Sequence, residues 1–370
     1  MALDHVRDFM HTSSMIQDPT NLQTTTTALF FTRWITHLCA PSFVFLSGIS
    51  AYISLKKHNN ISESRTFLFT RGLWLIILEF TVINFVLWYD VHFRLLIMEV
   101  ISAIGFSFII LSFLIKIPSH IIGFTGLIIL FCHNLLPGMD FTENPLMSSL
   151  SAVLFHPKLI PFTPNFTFYV AYPIIPWLGI LLTGFASGKF FELPQERRKR
   201  IFLLIGLASL FLFCLLRLIN IYGDPSRWSA QKNTLFGFLS FINTTKYPPS
   251  LLFDLLFLGI MFLVLFFSEK VKNWFTEAIS VYGKVPLFYF VIHLFLIHSL
   301  MLIMLFIQGF SFREFQFGVF KNGRPAAGSG VELPVIYLIW FCVILSLYPV
   351  CKWYGNYKAA HKERVLLRYL

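Results

Sequence analysis

The sequence predicts an all-α, polytopic transmembrane helical bundle of about ten spans, and three observations carry that prediction. Of the 370 residues, 56% are hydrophobic and only 13% charged, roughly half the charged share of a soluble domain. The apolar residues come in blocks of about 20, the length a helix needs to cross a bilayer. There are too many such blocks for one soluble core to bury. Phe, which enters lipid readily, occurs 45 times.

Taken in order, residues 1–10 (MALDHVRDFM) read as the outer end of a first, truncated span. Ten helical residues reach about 15 Å, half of a hydrocarbon core of about 30 Å. Either the start codon lies upstream or half a span has been lost. A cleaved signal peptide does not fit, because no basic start precedes an apolar run. Hydropathy then places spans at 29–55, 66–89, 93–115, 118–136, 166–190, 201–222, 250–268, 285–309 and 333–351. No repeat, low-complexity tract or soluble linker interrupts them, so residues 1–370 read as a single domain.

Charge sets the orientation. With the N-terminus inside, the cytoplasmic segments at 56–71, near 116, at 189–200, at 269–284 and after 351 hold 18 of the 29 Lys and Arg residues. The 196–200 cluster (ERRKR) and a basic tail that includes Lys362 and Arg368 dominate this bias, as the positive-inside rule requires. The net charge of +11 therefore speaks for membrane topology and not for nucleic acid. Both ends are expected in the cytoplasm, in a bacterial inner membrane, with lipid as the constant partner. Five scattered cysteines show no CxxC or Cys/His spacing and read as packing residues. Nothing implies a metal or a disulfide.

Ionisable groups inside a membrane are costly and face a cavity or a partner. Asp4, Asp8 and His11 fall at i, i+4 and i+7 on one helical face, and His5 lies within i+3 reach of Asp8. An Asp beside a His orients the imidazole and stabilises its protonated form, as a general base requires. A polar helix end with Asp4–Arg7 pairing accounts for the same spacing. Arg33 and His37 stand at i and i+4 before Pro41, on one helix face. Arg33 needs a carboxylate or an anionic ligand, with Asp4, Asp8, Glu79 and Glu99 as candidate partners. Asp254, His133, His293 and His298 are further polar residues in apolar surroundings. His293 and His298, five apart, do not form a two-His ligand pair, and His133 and His298 read as hydrogen-bonded packing residues. The motifs of P-loops, dinucleotide folds, zinc proteases and GxSxG hydrolases are absent. Proline-rich turns at 172–177 (YPIIPW) and 246–250 (KYPPS), with the 137–165 loop, suggest a lid at the outer face.

Read together, residues 1–10, 32–49 (TRWITHLCAPSFVFLSGI), 70–80 (TRGLWLIILEF), 172–180 (YPIIPWLGI), 245–254 (TKYPPSLLFD) and 282–294 (YGKVPLFYFVIHL) resemble the bacterial relatives of the heparan-α-glucosaminide N-acetyltransferase catalytic domain. They run in order across nearly the whole chain. The resemblance implies a transmembrane acyltransferase that moves acetyl from cytosolic acetyl-CoA to an acceptor across the membrane, by an acetyl-histidine or by direct transfer. It places Asp4 and His5 where the first helix delivers polar catalytic groups. The lysosomal member has an asparagine near the place of His5 and an essential histidine in the following loop, where His11 is the one histidine here. The family's opening Arg-Gly stretch does not occur in this sequence.

The resulting reading is a membrane acyltransferase with an amine or hydroxyl acceptor, expected on a sugar. His5 would act as general base with Asp4 or Asp8 orienting it, and Arg33 and His37 would bind the substrate. Lys189, Arg197, Arg198 and Lys284 would meet the phosphates of CoA. A homo-oligomer is compatible with all of this. The rival reading is a transporter whose buried His, Asp, Glu and Arg form a substrate path or proton relay. A structural membrane subunit is the third.

Overall fold

The computed structural model describes the whole chain except residues 15, 59, 136–143, 326–327, 362, 365–366 and 368–370. Lys362 and Arg368 of the basic tail, and the 137–143 part of the expected lid, lie outside the described residues. The chain begins with α1 (Ala2–Met10), α2 (Thr27–Thr36), α3 (Cys39–His58) and α4 (Ile61–Leu78). A π-helical turn, Glu79–Ile83, leads into α5 (Asn84–Trp88) and then β1 (Leu95–Met98). Next come α6 (Val100–Leu114), α7 (Ser119–Cys132), α8 (Pro145–Phe155), β2 (Lys158–Thr163), β3 (Phe166–Val170) and α9 (Ile174–Ser187). The rest comprises α10 (Gln195–Ile219), α11 (Thr234–Ile242), α12 (Leu251–Ser268), α13 (Trp274–Lys284), α14 (Pro286–Ile307), β4 (Gln316–Gly318), β5 (Lys321–Gly323) and α15 (Leu333–Ala360).

Among the described residues, seven helical segments are long and apolar enough to cross a membrane: Thr27–His58, Ile61–Trp88, Ile174–Glu192, Gln195–Ile219, Leu251–Ser268, Pro286–Ile307 and Leu333–Ala360. Three further apolar helices, Val100–Leu114, Ser119–Leu135 and Pro145–Phe155, are shorter. The expected spans at 93–115 and 166–190 each spend their first residues on a strand. There β1, β3 and β2 form a three-stranded sheet in that order, with β2 and β3 antiparallel. Pro173 then starts α9, its missing N–H falling where a helix needs none.

The contacts fall into two units. The first holds Met1–Thr36, Phe80–Leu95 and Val271–Leu370, and the second His37–Glu79 and Leu96–Lys270.

In the first unit α1 packs on α2, α14 and α15. A bond between the Thr32 and Tyr337 hydroxyls, 2.5 Å, joins α2 to α15. The loop ahead of α15 runs alongside the end of α1. Val331 N–H donates to Met10 O at 2.8 Å and Thr12 N–H donates to Val331 O at 3.2 Å. Arg324, buried in that loop, donates to His11 O (2.9 Å), Ser14 Oγ (2.7 Å) and Ser329 O (2.5 Å). Its pKa is pushed down to about 10 by burial.

The second unit is assembled through small residues, as membrane helices are when no hydrophobic drive exists between them. Gly48 on α3 meets the backbone of α9 at Leu181, and Gly184 on α9 meets the backbone of α3 at Phe45. Gly72 on α4 and Gly105 on α6 face one another in the same way. Glu79 caps α6: its carboxylate accepts from the N–H groups of Glu99 (3.2 Å) and Ser102, satisfying donors that a helix start leaves open. Arg198 pairs with Glu269 where α10 begins and α12 ends. At the other end of α10, Arg217 donates to the carbonyls of Ser226, Ser240, Phe241 and Asn243 at 2.7–3.0 Å.

Candidate active site

The site residues of the first unit begin on α1, whose nine residues bury Asp4 and Arg7. Asp4 is shared by two guanidiniums. Arg7 reaches Oδ1 at 2.8 Å, and Arg33, from α2, reaches Oδ2. Arg7 also pairs with Asp8 at 2.7 Å. Two carboxylates and two guanidiniums thus form one charge-balanced network, in which Arg7 is 2% exposed. Of the four partners considered for Arg33, the structure shows Asp4, while Glu79 caps α6. The Asp4–Arg7 pairing that the i, i+3 spacing allowed is present.

His5 also has neighbours that the sequence did not suggest. Its ring lies 5.3 Å from that of His293 on α14 and 6.2 Å from that of Phe290. His293 is fully buried, and its Nδ1 bonds Tyr289 O at 2.8 Å. A carbonyl only accepts, so the ring's hydrogen sits on Nδ1 and Nε2 keeps a lone pair. That Nε2 has no hydrogen-bond partner among the described residues. Sequence spacing could not reveal this, because His5 and His293 come from opposite ends of the chain. His298 is a packing residue, with its ring nitrogens against Val86 O (2.7 Å) and Asn322 O (2.8 Å). Likewise, the nitrogens of His133 lie against Ile129 O (2.9 Å) and Pro249 O (2.7 Å).

His11 closes α1. Its Nδ1 accepts from Ser13 N–H at 3.2 Å, and the Ser13 hydroxyl stands 2.9 Å from the same nitrogen. Burial lowers its pKa; Glu332 opposes that shift, and Arg7 and Arg324 add to it.

Arg33 and His37 are divided by a break within the Thr27–His58 segment. Pro41 has no N–H to give the carbonyl of residue 37, and the helix breaks there, α2 ending at Thr36 and α3 starting at Cys39. Arg33 stays with Asp4 in the first unit. His37 belongs to the second, buried with its ring 5.8 Å from Phe253 and 5.6 Å from Phe257. Among the proposed phosphate contacts, Lys189 and Arg197 are exposed on the second unit. Arg198 is engaged by Glu269, and exposed Lys284 ends α13 in the first unit.

The pattern described as Heparan-alpha-glucosaminide N-acetyltransferase, catalytic, matches residues 9–220, more than half of the chain. The chain belongs to this family. Membership in the heparan-alpha-glucosaminide N-acetyltransferase catalytic family makes it a membrane transferase of the acetyltransferase type. A comparison with curated proteins gives no match. The matched stretch takes in His11, Arg33, His37, Lys189, Arg197 and Arg198, whereas Asp4, His5, Asp8, His293 and Lys284 lie outside it.

Proposed function

We propose that this protein transfers an acyl group, acetyl in the simplest case, from cytosolic acyl-CoA to an amine or hydroxyl of a sugar-like acceptor at the outer side of a bacterial inner membrane. The observation that carries this reading is His5, held against His293 beside the Asp4–Arg7–Arg33 network within a membrane transferase of this family. Acyl transfer needs a base to take the acceptor's proton and a cation to meet the oxyanion. His5 is assigned the first role. As the acceptor's N or O bonds to the acyl carbon, its proton passes to His5. When the C–S bond of the thioester breaks, the CoA thiolate takes up that proton.

Arg33 is assigned the developing oxyanion. Asp4 and Asp8 hold the guanidiniums and are assigned, as expected, to orient the imidazole. His37 is proposed to contact substrate, and Lys189, Arg197, Arg198 and Lys284 to contact the CoA phosphates. His11 remains the candidate for an acetyl-histidine route, with direct transfer as the alternative.

The test is acetyl transfer from radiolabelled acetyl-CoA by the detergent-purified protein, with calorimetric binding of acetyl-CoA alongside. His5→Ala is expected to keep binding and lose transfer by roughly a hundredfold or more. Full transfer by a folded His5→Ala protein would remove His5 from the mechanism. Substrate uptake into proteoliposomes without any acetyl transfer would replace the reading with a transporter.

A further inference from the structure

The two proline-rich turns meet within the second unit, around a lysine that no carboxylate among the described residues neutralises. Lys246 is 8% exposed, and among the described residues its ammonium has neither an ion-pair partner nor a hydrogen bond. Its Nζ stands 4.9 Å from the ring centre of Tyr247 and 5.8 Å from that of Tyr172. These two rings lie edge to face, 5.4 Å apart, and Tyr172 is 4.6 Å from the fully buried Trp177. Aromatic faces offset part of the cost of burying an ammonium. Here they supply no bond for its N–H donors, of which it has three.

The turn carrying Lys246 is built without it. Asp224 accepts from Thr245 N–H (2.8 Å), Thr245 Oγ1 (2.9 Å) and Ser250 Oγ (2.7 Å), closing both sides of the 245–250 segment. The Asn134 side chain accepts from Leu251 N–H at 2.8 Å. Tyr172 is fixed by its N–H bond to Met98 O at 3.0 Å. The turn is therefore held by bonds in which the ammonium takes no part. It stands just before α12, and the Arg198–Glu269 pair sits just after it. Eighteen helical residues rise about 27 Å, so Lys246 and the basic 197–200 stretch lie roughly a hydrocarbon thickness apart. With the basic stretch inside, Lys246 is at the outer face.

We infer that Lys246, Tyr172 and Tyr247 form a binding site for a hydroxylated ring bearing one oxyanion, such as a sugar acid or sugar phosphate. The ammonium takes the oxyanion through charge-assisted hydrogen bonds. Tyr247, 37% exposed, offers an aromatic wall to the ring, the mixture of apolar lining and a few polar groups that small-ligand sites use. Treating this ligand as the acyl acceptor rests on the acyltransferase reading; the binding site itself does not. A phospholipid headgroup offers the same oxyanion, so the test separates the two sources.

The experiment is calorimetric binding of glucuronate, glucose 1-phosphate and glucose to the full chain in phosphatidylcholine nanodiscs, without acyl-CoA. The anionic sugars are expected to bind about tenfold or more tighter than glucose. Lys246→Gln is expected to erase that preference, Lys246→Arg to keep it, and Tyr247→Leu to weaken all three sugars at an unchanged melting temperature. Equal binding of charged and neutral sugars, or an anion preference that survives in Lys246→Gln, would overturn the inference. So would a Lys246-dependent stabilisation by phosphatidylglycerol nanodiscs with no sugar binding, which would assign the site to a headgroup. A protein that binds the sugars but transfers no acetyl group would overturn the acyltransferase reading alone.

Discussion

Asp4 pairs with two guanidiniums at once, so removing its charge weakens the hold on both, although Arg7 keeps Asp8. Asp4→Asn is expected to cost about 3–5 kcal/mol, the range for breaking a buried ion pair from one side, and to lower the melting temperature in detergent far more than Asp8→Asn, whose side chain is exposed. Equal effects of the two variants would show that Arg7 and Arg33 draw on other partners. His11 makes a pH prediction. Burial holds its folded pKa below the ordinary value, so the unfolded ring takes a proton near pH 6.5 that the folded ring refuses. Stability is full above that pH and declines as pH falls through the window down to the folded value. The wild type is therefore expected to lose more thermal stability than His11→Gln between pH 8 and pH 5, and identical slopes would exclude His11 as the cause. At this level local spacing was informative: the Asp4–Arg7 bond follows from i, i+3, and Asp4 was among the partners considered for Arg33. The neighbour of His5 was not legible, because the closeness of α1 and α14 is a product of folding that one sequence does not encode in any spacing.

The helices of the second unit touch backbone to backbone, and glycine permits it. A Cβ added at Gly184 would stand 2.1 Å from Phe45 O, and one at Gly48 2.2 Å from Leu181 O. Gly184→Ala must push α3 and α9 apart and is expected to cost about 1–3 kcal/mol or more, seen as a lower melting temperature. Gly237→Ala, which has open space around it, serves as the control, and comparable losses in the two variants would refute the contact. Hydropathy located the long helices well, because 20 apolar residues have few other fates. It misread 93–98 and 166–170, where strand and span share the same apolar, β-branched and aromatic residues. The break after Thr36 was half visible: Pro41 announces a disturbed helix and cannot bond the carbonyl of residue 37, but that α2 ends at Thr36 and α3 starts at Cys39 emerges only from the fold.

Charge distribution predicts how the chain lies in its membrane. In a cysteine-free background, Lys272→Cys is expected to resist a membrane-impermeant maleimide in intact cells, and Lys232→Cys to react. The reverse pattern would invert the proposed orientation and with it the direction of acyl transfer. This prediction rests on Lys and Arg counts alone, since the positive-inside rule depends on loops and not on tertiary contacts. The division of contacts into two units, one of them joining the first and last helices, left no trace in composition. One contact bears on biosynthesis. Arg217 relies on carbonyls that follow it, the farthest 26 residues downstream at Asn243. At about 5–20 residues per second, the ribosome delivers that last partner on the order of seconds after the arginine. During that interval α10 presents the insertion machinery with an unsatisfied cation at its trailing end, so the natural step of insertion is the whole segment 195–243, released to lipid once its own backbone has closed around the charge.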